Sequence, residues 1–163
     1  GSGKYLSGEI ACDEHNSFCI GVAGYPEKHL EAPSMKYDLE MLKKKVDNGA
    51  DYIVTQMFFD NRKYFDFVKE VRAIGIEVPI IPGIKPIATK KHLQLLPQAF
   101  KIDIPETLIS EVLKCKDNKD VREVGIEWAI NQCKELLDFG VPVLHFYSMG
   151  KSDNILKIGR EVF

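Results

Sequence analysis

The chain has 163 residues, 45% of them hydrophobic and 28% charged, with a formal net charge of −2. That length and apolar content suit one domain with a substantial core. A charge so near zero excludes the strongly basic class that holds nucleic acid or an acidic membrane by its field alone. No apolar run approaches the ~20 residues needed to cross a bilayer, and no basic-then-apolar leader opens the chain. A cytoplasmic protein is expected, with neither nucleic acid nor membrane as a partner.

Residues 1–17 are polar and irregular, and Gly1-Ser2-Gly3 has the look of an expression scar. Phe18–Gly24 reads as a first strand, followed by a loop from Tyr25 to Pro33. Met35, Leu39, Leu42 and Val46 then recur at helical steps, which predicts a helix over Met35–Asn48. Gly49 stands where a left-handed C-terminal cap is wanted, and a strand follows at Tyr52–Thr55. The phrase repeats. Asp60 can cap a helix over Asn61–Ile74 with Phe65, Val68 and Val71 on its apolar face. Gly75 closes that helix, and Val78–Ile81 makes a strand expected to stop at Pro82-Gly83. A helix is expected from Thr89 and a second over Glu106–Cys115. Asp117 can cap a long helix over Asn118–Phe139, whose apolar residues include Trp128, Ile130 and Leu136. Gly140, a strand at Val141–Tyr147 and a helix at Ile155–Phe163 complete the chain.

Helix, glycine, short loop and buried strand thus recur at Gly49, Gly75 and Gly140. Strands alternating with helices of this length read as βα units on a parallel sheet. Four such strands make either a small open α/β domain or half of a (βα)8 barrel. The four cysteines form no CxxC pair, so free thiols are expected. Cys12, His15 and Cys19 match no standard zinc spacing, and no metal is expected.

In parallel α/β folds, sites lie at the carboxyl ends of the strands. Those ends carry Tyr25, Gln56, and His145 with Tyr147. Gln56 draws the eye, because a buried amide without partners costs on the order of 1–3 kcal/mol. Either it is satisfied within the protein, or it faces something that needs both a donor and an acceptor. On the first helix, Asp38, Met41 and Lys45 share one face, with Lys44 beside it. One acid and two lysines suit a ribose hydroxyl and a diphosphate, and equally a plain solvated face. GxGxxG, GxxxxGK[ST], GxSxG and HExxH are all missing.

Three stretches together resemble methylenetetrahydrofolate reductases. Gly21-Val-Ala-Gly-Tyr-Pro-Glu-Lys-His-Leu-Glu-Ala is similar to that family's A-x-YPE-x-H-x-EA segment. Residues 42–60, from Leu42 through Gly49-Ala50 and Thr55-Gln56 to Phe58-Phe59-Asp60, are similar to its L-K-x-K-x-D-x-GA-x-x-x-x-TQ-x-FFD segment. Ile80-Ile-Pro-Gly-Ile-Lys-Pro and His145-Phe-Tyr resemble the next two strand ends. The match runs from about residue 19 onward and resembles the bacterial form, which has no regulatory domain.

The resemblance implies a (βα)8 barrel of which residues 18–163 are the C-terminal half, strands five to eight. It implies FAD as cofactor, with NADH or NADPH as hydride donor to 5,10-methylenetetrahydrofolate, in one-carbon and methionine metabolism. It assigns Tyr25, His29, Ala32, Asp38, Met41, Lys44 and Lys45 to FAD contacts, that of Met41 through backbone or packing. Gln56 falls on the position that meets both nicotinamide and folate. His92 and Lys151 fall on folate-contacting positions where the family pattern has Gln and Arg. The family's acidic residues near the flavin and the folate belong to earlier strands, so this chain alone is expected to be inactive and to form homo-oligomers through its open sheet edges. Two other readings compete: a non-catalytic half-barrel module binding a nucleotide or a protein, and a different barrel enzyme with a phosphate site.

Overall fold

The computed structural model describes residues 18–150 and 152–163. The irregular segment expected over 1–17, with Cys12 and His15, lies outside them, as does Lys151. The elements in chain order are β1 (Gly21–Gly24), α1 (Met35–Asp47), β2 (Tyr52–Met57), α2 (Asn61–Ala73), β3 (Ile80–Ile84), α3 (His92–Phe100), α4 (Glu106–Lys114), α5 (Asn118–Asp138), β4 (His145–Phe146) and α6 (Asp153–Val162). The helix starts follow local chemistry. Ser34 Oγ accepts the N–H of Tyr37, Asp60 accepts that of Arg62, and Asp117 accepts those of Lys119 and Asp120, satisfying donors that a helix start otherwise leaves open. Gly49, Gly75 and Gly140 take φ of 103°, 75° and 99°, which is the left-handed turn that lets each helix reverse into the next segment.

The four strands form one parallel sheet in the order β1-β2-β3-β4. Each strand lies beside its predecessor, so the winding never changes direction. Right-handed crossovers then carry the connecting helices to one side of the sheet. The core agrees: Leu42 of α1, Tyr64, Phe67 and Val71 of α2, Ile126, Ala129, Cys133 and Leu136 of α5, and Ile158 of α6 gather on Ile53, Ile80 and Ile84. A second cluster joins Met57 and Phe59 to Ile87, Leu96, Ile104, Leu108, Val112 and Val121. On the opposite face, Tyr52, Val54 and Ile81 are only partly buried, while Gly21, Ala23 and His145 are exposed. Among the described residues, that face carries no helix.

Several expectations shift. β3 continues through Pro82-Gly83 to Ile84 rather than stopping there, because the pairing of β2 with β3 breaks its step between Val54 and Met57. Pro82, which has no N–H to give, falls opposite that irregularity. The helix expected from Thr89 begins at His92, since Thr89–Lys91 is a turn with His92 N–H on Thr89 O and Leu93 N–H on Lys90 O. β4 is ordered as strand over His145–Phe146 alone, after a stretch containing Pro142. In α2 the inward face is Tyr64, Phe67 and Val71, with Phe65 and Val68 at its margin. Trp128 and Ile130 are likewise marginal to α5, whose buried line runs Val121, Gly125, Ala129, Cys133 and Leu136.

Two glycines give opposite expectations. A Cβ on Gly125 would lie 1.9 Å from the carbonyl oxygen of Ile87. Gly125→Ala must therefore push α5 off the segment after β3, at a cost of about 1–3 kcal/mol or more. A Cβ on Gly159 of α6 meets nothing within 4 Å, so Gly159→Ala should gain roughly 0.5–1 kcal/mol. Urea unfolding of the two variants checks both signs.

Candidate functional site at the carboxyl end of the sheet

The loop after β1 is held at several points. Lys28 adopts a left-handed φ of 75°, and its N–H closes a turn on Tyr25 O. Its Nζ bonds the carbonyls of His29 (2.9 Å) and Ala32 (2.5 Å). Asp38, in the first turn of α1, accepts the backbone N–H of His29 at 2.7 Å. The Tyr25 and His29 rings meet edge to face, centroids 4.5 Å apart. Lys45 Nζ stands 5.9 Å from the centre of the Tyr25 ring and donates to Ala23 O on the edge strand at 3.3 Å. Burial raises the Tyr25 phenol, and the Asp38 carboxylate adds to the shift.

The end of β2 is built around the broken step. Three backbone groups leave the ladder there, and three side chains take them. Thr55 Oγ1 accepts the N–H of Gly83 at 3.0 Å. The Tyr147 hydroxyl donates to Thr55 O at 2.9 Å. Gln56 Oε1 accepts the N–H of Met57 at 3.0 Å. Gly83 makes the arrangement possible, since a Cβ there would lie 2.3 Å from Thr55 O and 2.6 Å from the Tyr147 ring. Behind the strand, Gln132 Nε2 donates to Phe58 O and Trp128 Nε1 to Phe59 O.

The remaining groups converge on Tyr147. Its N–H donates to Ile84 O, its carbonyl accepts Lys85 Nζ at 2.9 Å, and His145 meets its ring edge to face at 4.7 Å. Burial raises the Tyr147 phenol, and the field of Tyr25 adds to that, which links the β1 loop to the end of β4. Burial lowers Lys85. Burial also lowers His92, helped by the nearby Lys85 charge. His92 Nδ1 accepts Ala88 N–H at 3.2 Å, so Nε2 is the ring nitrogen left to donate.

The sequence-based candidates therefore fall into two joined groups. Tyr25, His29, Asp38 and Lys45 form one cluster, with Ala32 buried beneath it and Met41 partly buried on the same helix as the exposed Lys44. Gln56 lies near the carboxyl end of β2 and His92 opens α3; Tyr147 joins Thr55 to Lys85, whose charge acts on His92. The open alternative for Gln56 resolves in part toward structure, because its oxygen is occupied by Met57. Its Nε2 makes no bond among the described residues. Lys151 lies outside them. Sequence reading missed Thr55, Gly83 and Lys85. A hydroxyl residue directly before Gln56 in an otherwise apolar strand was the available signal for the first. A cleft of about 340 Å³ between Phe59, Asn61, Arg62, Trp128, Asn131 and Glu135 contains none of the candidates. Among the described residues no group of His, Cys, Asp and Glu could hold a metal.

The family model of methylenetetrahydrofolate reductase matches residues 8–162. Methylenetetrahydrofolate reductase 2 of Saccharomyces cerevisiae is 46% identical over 150 residues, covering 90% of this chain and 24% of that protein. The 5,10-methylenetetrahydrofolate reductase of Pectobacterium carotovorum is 36% identical over 141 residues, covering 86% of this chain and 47% of that protein. The bacterial form thus has a counterpart, at lower identity than the yeast enzyme. A solved structure, an uncharacterized protein from Clostridium thermocellum described as binding two copies of 5-methyl-5,6,7,8-tetrahydrofolic acid, superposes with a TM-score of 0.62. At 21% identity over 88% of this chain and 52% of that one, it shows a shared fold. The chain spans less than half the length of both reductases. With its parallel βα order and a family match running through nearly all its residues, the chain belongs to the methylenetetrahydrofolate reductase family.

Proposed function

We propose that this chain supplies the C-terminal half, strands five to eight, of a (βα)8 barrel that reduces 5,10-methylenetetrahydrofolate. The observation that carries the reading is the family match over residues 8–162, which includes the strand end where the Gln56 amide N–H₂ is unbonded among the described residues. The sheet supports it. Sequential parallel strands with the described helices on one side of the sheet are what half of a closed barrel would present. The Clostridium thermocellum neighbour, of which this chain covers 52%, is described as a 5-methyltetrahydrofolate binder, which supports a folate as the small-molecule partner.

FAD suits the residues present. Lys44 and Lys45 are exposed cations in the last turn of α1, with Lys45 near the Tyr25 ring, and are fit for a diphosphate. Asp38 spends one oxygen on His29 N–H and keeps the other for a ribose hydroxyl. Tyr25, His29 and Ala32 would line the cofactor, with Met41 packing against it. When bound, the flavin supplies the hydride chemistry between NADH or NADPH and the folate. The protein's part is orientation. Gln56 is fixed through its oxygen, so its N–H₂ is aimed and can donate in turn to a carboxamide and to a pterin. His92, held neutral, would donate from Nε2 to the folate, with Lys151 as a further contact. The isolated 163 residues would be inactive and weakly flavinated, and would self-associate through open edges. Cytoplasmic one-carbon metabolism feeding methionine is the setting this implies.

One observation favours a non-catalytic module instead: the Gln56 oxygen already has a partner within the protein. Kinetics separate the readings. In the full-length enzyme, Gln56→Ala should slow flavin reduction by nicotinamide and its reoxidation by folate, each about tenfold or more. Unchanged rates in both half-reactions would favour the module. Tyr147→Phe removes the donor to Thr55 O and should cost about 1–3 kcal/mol of stability, with a loss in both half-reactions smaller than that of Gln56→Ala. Asp38→Ala should weaken FAD binding about tenfold, read by flavin titration of the apoenzyme.

A further inference from the structure

Glu27 belongs to the candidate loop but to none of its proposed contacts. It lies two residues from Tyr25 and two from His29, and its side chain is 8% exposed. Its Oε2 accepts the N–H of Asp103, in the segment between α3 and α4, at 3.0 Å. Its Oε1 is buried and has no hydrogen-bond partner among the described residues. Two charged groups stand against it: Lys63 of α2, whose Nζ is 3.9 Å from Glu27 and 3.6 Å from the Asp103 carboxylate, and Asp103 itself. Lys28, on the same loop, is turned away onto the carbonyls of His29 and Ala32.

A buried carboxylate oxygen that receives no hydrogen bond is costly as an anion and well suited to carry a proton. The adjacent Asp103 carboxylate sharpens this, because two neighbouring carboxyls resist ionising together. We infer that Glu27 is a positioning residue that carries a proton on Oε1, and that in this neutral state it clasps the Tyr25–His29 loop to the Asp103 segment. Burial pushes its carboxyl up to about 7, reinforced by the Asp103 carboxylate and opposed by the Asp103 N–H and by Lys63.

The sign follows from a raised acid. Below its ordinary 4.5, Glu27 is neutral folded or unfolded and costs nothing. Between there and about 7 the unfolded chain ionises first, so folded stability falls as pH rises, and above 7 the penalty is constant. Glu27→Gln keeps the shape and removes the titration. The full chain and its Glu27→Gln variant, melted from pH 4.5 to 8.5, should differ little at the acid end. The variant should gain about 2–8 °C in Tm over the parent by pH 8. A gap that does not change with pH overturns the proposal. Asp103→Asn offers a second route should Glu27→Gln fold poorly. It should flatten the parent's pH dependence, and an undiminished slope counts against the clasp.

The link to cofactor binding rests on the reading proposed above and is tested apart. In the full-length enzyme, FAD affinity of the parent should fall between pH 6 and 8, and that of Glu27→Gln should hold. If the Tm gap opens while FAD affinity stays equal in the two proteins, the clasp stands and the cofactor role of the loop fails.

Discussion

The structure depends on how one broken step in a parallel ladder is repaired. Where β2 and β3 lose register between Val54 and Met57, Met57 N–H, Gly83 N–H and Thr55 C=O all lose their regular partners. Each would cost about 1–3 kcal/mol if buried and unpaired. Thr55, Gln56 and Tyr147 each supply one atom to one of these groups. The repair fixes where Gln56 points, brings Tyr147 over Gly83, and hands the Tyr147 carbonyl to Lys85. A bulge at the rim of a sheet re-aims the side chain beside it, and here that side chain is the amide in question.

The same economy of small residues and long reach holds the rim elsewhere. Gly83 is small because a backbone oxygen and a ring both occupy the place of its side chain. Lys45 covers the outer carbonyl of Ala23 on edge strand β1, a cation where a bare edge would invite pairing. Lys28 gathers the carbonyls of His29 and Ala32, and Asp38 takes the N–H of His29. The loop after β1 is thus shaped by charged side chains bonding to backbone, while the Tyr25 and His29 rings pack edge to face.

Features governed by local chemistry were legible in the sequence. The caps at Asp60 and Asp117 and the glycines at 49, 75 and 140 each follow from a backbone demand within a few residues. So do the four parallel βα units and the placing of Tyr25, Gln56 and Tyr147 at strand ends. What was hidden depends on partners far along the chain. The persistence of β3 through Pro82 needs the irregularity in β2, 28 residues away where Thr55 meets Gly83. The inward turn of α2 onto Tyr64 rather than Phe65 is decided by Tyr64 Oη reaching Ile80 O and by stacking on Phe58. Glu27 reads as one charge in a polar loop until Asp103, 76 residues on, closes over it.

An amide at position 56 is more than a tolerated choice. A glutamate there could also accept Met57 N–H. It would then hold a negative charge at a strand end beside the partly buried phenol of Tyr147, itself already raised by burial, and would have no donor for a ligand. A histidine would bring a charge that changes near neutral pH. A leucine would leave Met57 N–H without a partner. Glutamine alone among these satisfies the backbone with one end and keeps an uncharged donor at the other. The backbone demand on this residue and the ligand contact proposed for it therefore fall to opposite ends of one group, which is why it reads from sequence as either.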